Sequence, residues 1–267
     1  MKIALLIDGD NAQASLIKEI IAEVSTYGKA TIRRIYGDWT SSGMNSWKPI
    51  LNENSINAIQ NFAYTAGKNS TDGAMIIDAM DILHSKSVDG FCIVSSDSDF
   101  TGLAKRIREE GLFVMGIGRK TTPIAFKNSC EIFTLTENLE LSETKADDLE
   151  EIKTAATQPK RKKKNIKPEA NESTANKAGK NTEYKIPQNE LGKIDKAYNL
   201  ATNEGDGTHI SKVGAILRQI DPSFDPRTYG YKNLSQLFSY IEKYEVIKND
   251  VNGLNHPLVK LKTSTST

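Results

Sequence analysis

Short apolar runs alternate with helically spaced apolar positions over the first half of the chain. The runs that read as strands are Lys2–Asp8, Lys29–Tyr36, Asn57–Ala63, Gly90–Ser95, Leu112–Gly116 and Glu131–Thr134. Between them, Leu16, Ile17, Ile20, Ile21 and Val24 share one face of a helix over Gln13–Tyr27. Met75, Ile76, Ala79, Met80 and Leu83 do the same over Asp72–His84, and Leu103, Ala104 and Ile107 over Phe100–Glu110. Strands alternating with amphipathic helices imply βαβ crossovers. Residues 1–136 are therefore expected to form an α/β domain, a parallel sheet with helices on both faces.

The pattern stops at residues 137–188. That stretch is rich in Lys, Glu, Asn, Thr and Ala and contains Lys160-Arg161-Lys162-Lys163-Lys164. Such a composition buries too little apolar area to offset its ordering entropy, so a disordered basic linker is expected. The basic run suits either a solvated spacer or a non-specific phosphate contact. Globular patterning returns over 189–262. Leu191, Ile194, Ala197, Tyr198 and Ala201 lie on one helical face. Thr208 is placed to cap a second helix carrying Val213, Ile216, Leu217 and Ile220, and Asn233 a third through Leu237 and Phe238. Two strand-like runs, Glu245–Lys248 and Leu258–Lys262, follow around a turn at Asp250–Gly253. Three helices and a hairpin predict a small winged helix-turn-helix.

Length and composition fit this division. The chain has 267 residues, 38% hydrophobic and 26% charged, enough for two domains with their own cores. No run of about 18 apolar residues is present, so no membrane span is expected. The N-terminal apolar run is too short for a signal peptide and ends on Asp8-Gly9-Asp10, which points to a cytoplasmic protein. Two cysteines, Cys92 and Cys130, are too few for a disulfide framework or a Cys-rich zinc site, and both fall in apolar surroundings. Net charge is only +1, so any nucleic-acid contact must come from local clusters.

The chemistry lies in the acidic residues. Asp8 ends the first strand, Asp97 and Asp99 follow the fourth at once, and Asp72 opens a helix after the third. In an open α/β sheet the strand C-termini share one edge, where ligands bind. Asp8, Asp72, Asp97 and Asp99 are therefore expected to converge. Clustered carboxylates repel and raise one another's pKa, a conflict that a hard cation removes. An all-Asp site without Cys or His suits Mg²⁺ or Mn²⁺ rather than zinc. Such ions activate water and stabilise charge on a phosphoryl oxygen. Each Asp also has an ordinary alternative: Asp97 or Asp99 as a helix cap, Asp72 as a complement to a helix dipole. Of the four, Asp99 has the strongest competing role as a cap. Asn11 is placed either to cap the first helix, to bond a scissile phosphate or to orient Asp8. Asp10, Asp78 and Asp81 are weaker candidates; the last two lie further along their helix, where one turn of mismatch turns them to solvent. Arg119 and Lys120 sit in a loop beside the expected mouth and suit an RNA backbone and a solvated loop equally. Trp39 and Trp47 either cover the core or line a groove.

Ile7-Asp8-Gly9-Asp10-Asn11, Gly67-Lys68-Asn69-Ser70-Thr71-Asp72 and Ser95-Ser96-Asp97-Ser98-Asp99-Phe100 resemble, in order, the motifs of the NYN domain, the LabA/DUF88 group of the PIN-like ribonuclease superfamily. The resemblance covers residues 1–136. It implies a Rossmann-like PIN sheet, metal-site roles for Asp8, Asp72, Asp97 and Asp99, and Asn11 as the accompanying catalytic polar residue. It also places Lys68 just before the second acidic motif, where it would meet RNA. Ser96 departs from the usual Gly, a change that tightens the loop without removing a ligand. In the C-terminal part, Tyr229-Gly230-Tyr231-Lys232-Asn233-Leu234 and its flanks are similar to the OST-HTH/LOTUS domain, which implies RNA binding or a protein partner. Lys212, Arg227 and Lys232 are then candidate phosphate contacts, and Tyr229 and Tyr231 candidate stacking platforms. Tyr231 and Phe238 equally suit a core, and Gly230 a turn.

Together these features predict a metal-dependent ribonuclease acting on single-stranded or structured RNA, with homodimerisation left open. A non-catalytic RNA-binding adaptor is the rival. A haloacid-type phosphohydrolase is disfavoured, because Asp8-Gly9-Asp10 lacks the Gly/Thr pattern and downstream Lys of a phosphoaspartate mechanism.

Overall fold

The computed structural model describes residues 1–62, 70–140, 186–202, 207–251 and 254–262. The first unit is a six-stranded parallel sheet of β1 (Lys2–Asp8), β2 (Lys29–Gly37), β3 (Asn57–Gln60), β4 (Gly90–Val94), β5 (Phe113–Gly118) and β6 (Ile132–Leu135). The strand order is β3-β2-β1-β4-β5-β6. Chain order reverses direction between β1 and β4, which defines the crevice where such sheets bind ligands.

Helices cover both faces because the central strands are apolar on both. Ala4, Leu6, Phe91, Ile93 and Val114 point to one side, against α2 (Ser70–Ser85), α3 (Thr101–Glu109) and α4 (Ile124–Ser129). Ile3, Leu5, Ile7, Cys92, Val94 and Met115 point to the other, against α1 (Ile17–Ser25) and the Met44–Trp47 turn. Each Val, Leu, Ile, Phe or Met among them contributes about 1.5–3 kcal/mol by leaving water. This core continues to Leu139, past the boundary expected near residue 136. Trp47 is buried, and the Trp39 indole donates to the Ile59 carbonyl at 3.0 Å, so both serve as core cover. Cys92 and Cys130 are buried free thiols, and burial pushes Cys130 up to about 12.

The second unit packs α5 (Gln188–Ala201), α6 (Ile210–Ile220) and α7 (Leu234–Tyr240) against a small sheet ordered β7-β11-β8 (Thr208–His209, Leu258–Leu261, Tyr244–Ile247). A two-stranded ladder, β9 (Asp250–Val251) with β10 (Leu254–Asn255), flanks the expected turn, whose residues 252 and 253 lie outside the described ones. Ile194, Val213, Leu217, Leu237, Phe238, Tyr244 and Val259 form its core. Asn233 caps α7 as expected, accepting from the Gln236 N–H at 2.9 Å. Thr208 does not cap α6. It lies in β7 and its hydroxyl donates to the Ala201 carbonyl at 3.2 Å, while the helix starts after His209 without a side-chain cap. Gly230 has φ +79°, the left-handed conformation that favours glycine.

The units touch along β6 and α1. The Phe133 N–H donates to the Pro222 carbonyl at 2.9 Å, and the Asn138 amide donates to the Thr228 hydroxyl at 3.0 Å. The linker expected over 137–188 falls mostly outside the described residues. Among the described residues, no helix is long and apolar enough to cross a membrane.

Candidate metal centre

The switch point brings the acidic segments together. Ile7 pairs with Val94, so β1 and β4 end level, with Asp8 beside Ser95. Gly9 lets the chain turn sharply there. A Cβ on it would lie 2.4 Å from Met44 Cε and 2.7 Å from the Tyr36 carbonyl oxygen, a gap only glycine fits. Asp72 lies in the first turn of α2, where the helix dipole favours a carboxylate.

Asp72, Asp97 and Asp99 each present a carboxylate oxygen, all within 4.8 Å of one another. Asp72 is only 9% exposed. Burial, followed by the charges of Asp8, Asp97, Asp99 and Asp10, pushes its pKa up to about 6. An all-oxygen, all-anionic donor set of this kind fits a hard divalent cation.

Asp8 is not one of the three within that distance, and its oxygens are hydrogen-bonded. Its Oδ2 accepts from Asn11 Nδ2 and from Ser95 Oγ, each at 2.7 Å, and its Oδ1 accepts from the Asp10 N–H at 3.2 Å. Burial raises its pKa, and the bonds from Ser95 and Asn11 offset part of that rise. Of the roles open to Asn11, the observed one is to orient Asp8. The cap assignment is reversed from expectation: Asp97, not Asp99, caps the turn Ser98–Phe100, its Oδ1 accepting from the Asp99 N–H at 3.0 Å.

Ser95 was not a sequence candidate, yet it ties the site together. Its hydroxyl donates to Asp8 and accepts from the Asp97 N–H at 3.1 Å. A serine directly after a buried strand and two residues before an Asp was the available signal. Ser96 accepts from the Arg119 N–H at 2.9 Å and so ties the β5 loop to the β4 loop. The side chains of Arg119 and Lys120 are exposed on this rim. Lys68 lies outside the described residues. Asp78 does not face solvent: it pairs with Arg34 and accepts from the Tyr36 hydroxyl.

The candidates of the second unit divide. Lys212 and Lys232 are exposed. Tyr229 packs on Phe224, with ring centroids 5.7 Å apart, and burial together with Glu190 raises its pKa; its ring is part-buried against the core. Tyr231 is part-buried against the same core, and Phe238 is fully buried. The Arg227 guanidinium is held by carboxylates. It forms a fork on Glu23, with Nη1 to Oε2 and Nη2 to Oε1 both 2.9 Å, and it also bonds Asp225.

Two family models match the chain. The NYN domain family model matches residues 2–139, and the OST-HTH/LOTUS domain model matches residues 193–256. Among solved structures, the chain is similar to the crystal structure of a protein of unknown function from Vibrio parahaemolyticus RIMD 2210633. The identity is 19%, the match covers 49% of this chain and 90% of that one, and the TM-score is 0.42. No curated protein matches the chain.

Proposed function

Because the chain belongs to the NYN domain family and carries an OST-HTH/LOTUS unit, we propose that it is a divalent-metal-dependent ribonuclease with its own RNA-binding module. The observation that carries the reading is the carboxylate trio at the switch point, Asp72, Asp97 and Asp99, gathered within 4.8 Å. These three would hold Mg²⁺ or Mn²⁺. The ion, when bound, supplies a water of lowered pKa and charge stabilisation at a phosphoryl oxygen.

The protein's own groups do the rest. Asp8 is the fourth carboxylate, near enough to raise the pKa of Asp72 but with oxygens already engaged. We place it behind the ion, where Asn11 and Ser95 fix its orientation. This is the geometry of outer-shell support, which holds liganding groups in place. Arg119 and Lys120 offer positive charge on the rim for the phosphodiester backbone, and Lys212 and Lys232 extend it on the second unit.

The test is cleavage of labelled single-stranded and structured RNAs with Mn²⁺ and with EDTA. Wild-type protein should give product that EDTA abolishes. Asp97→Asn should give none, because Asn keeps the cap while removing the charge. Unchanged cleavage by that variant would overturn the metal assignment. A mobility shift of wild-type protein without product would favour a binding adaptor over an enzyme.

A further inference from the structure

The contact between the two units has the chemistry of a built seat. Glu23 lies in α1 of the first unit, and Thr134 of β6 donates to its Oε1 at 3.2 Å. The same carboxylate receives both terminal nitrogens of Arg227 from the second unit, in the planar fork that guanidinium and carboxylate geometry favours. Asp225 sets up the other side. Its Oδ1 accepts from the Arg227 N–H at 2.8 Å and caps the turn Pro226–Tyr229. Its Oδ2 accepts from Arg227 Nε at 2.8 Å and from Nη2 at 2.6 Å. The guanidinium is therefore fixed before it meets Glu23, so little rotamer freedom remains to be lost on docking.

Two further contacts flank the fork. The Phe133 N–H reaches the Pro222 carbonyl, and the Asn138 amide reaches Thr228. The three contacts come from α1, β6 and the segment after β6 on one side. On the other they come from the single stretch 222–228, between α6 and α7. A chance touch of two tethered bodies would not satisfy a backbone group, a neutral side-chain pair and a preorganised ion pair at once.

We propose that the stretch 222–228 is a docking element that seats the C-terminal unit on the α1–β6 face of the nuclease-family domain, with Glu23 as receptor and Arg227 as plug. Arg227 is then a positioning residue between units, not an RNA contact. Docking also defines a cleft of about 260 Å³ whose walls include Tyr27 and Thr134 from one unit and Arg218 and Lys232 from the other. The cations of the second unit thus acquire a fixed place relative to the sheet. The inference does not depend on catalysis.

The experiment measures the distance between units in the full chain. Spin labels are attached at Lys18→Cys on α1 and Asn199→Cys on α5, both exposed positions, while the two native thiols are buried. With otherwise wild-type sequence, pulsed dipolar spectroscopy should give one narrow distance distribution. E23R leaves the C-terminal unit untouched, and R227E leaves the first unit untouched. Each should broaden the distribution and lengthen its mean, and the E23R/R227E pair should restore a narrow one. A misfolded variant would not be rescued by a change in the other unit. A broad distribution in the parent, a narrow one in either single variant, or no recovery in the pair would each overturn the proposal.

Discussion

Two places in this molecule gather carboxylates, and they treat them in opposite ways. At the seam between units, Glu23 and Asp225 converge on the guanidinium of Arg227, so the positive charge comes from the chain itself. At the sheet's switch point, Asp72, Asp97 and Asp99 converge with Asp8 close by, and burial and mutual repulsion hold Asp72 at about 6. Among the described residues, like charges share one site, and an arginine lies between them at the other. We read the first as a candidate seat for a cation and the second as a joint.

The comparison can be broken at several points, the largest effect first. Asp72→Asn should reduce Mn²⁺-dependent RNA cleavage by at least ~100-fold, since even outer-shell changes at metal sites cost about 10–100-fold. Calorimetric titration should show Mn²⁺ binding weakened in parallel. Ser95→Ala and Asn11→Ala should each lower cleavage by about 10–100-fold, as changes to groups that orient Asp8. Activity within twofold of wild type would remove Asp8 from the site.

In EDTA, the raised pKa of Asp72 has a definite sign. An acid whose folded pKa lies above its unfolded value favours folding fully below the unfolded pKa, near 4, and loses that contribution as pH rises through about 6. Thermal stability of metal-free protein should therefore fall between about pH 4 and 6, and Asp72→Asn should flatten that part of the curve. Adding Mn²⁺ at pH 7 should restore stability to wild type but not to the variant. The smallest effect belongs to the joint. Glu23→Gln should lower unfolding free energy by about 1 kcal/mol, as for part-exposed ion pairs, measurable by thermal or urea unfolding.

Much of the fold was legible because local pattern and tertiary burial agree in it. The six strands and the helices α1, α2 and α3 follow from runs such as Ile3–Ile7 and from the spacing of Met75, Ala79 and Leu83, all buried as the periodicity implies. Helix α4 was missed because Ile124–Ser129 is too short to show a period, and its start after Pro123 carries no side-chain cap. The mouth was legible for the same reason as the sheet: strand ends fix where their next residues go. Its finer division was not. Which Asp caps the turn after β4, and how Ser95 and Asn11 engage the oxygens of Asp8, depend on hydrogen bonds that no spacing encodes. Arg227 shows the limit most clearly. Its partner Glu23 is 204 positions away, and a basic residue in an RNA-binding-like unit reads from sequence as a phosphate contact.

The bond from the Phe133 N–H to the Pro222 carbonyl has a consequence for handling the protein. Strand β6 is an outer strand of the sheet, and outer strands with unsatisfied N–H groups template addition of a foreign strand. The C-terminal unit plugs that socket with a proline carbonyl, from a residue that cannot itself extend the ladder through an N–H. Cutting the chain after residue 140 would leave the socket open. The truncated piece should then be stickier and less soluble than the whole, by exposure of one sheet margin rather than by any damage to its core.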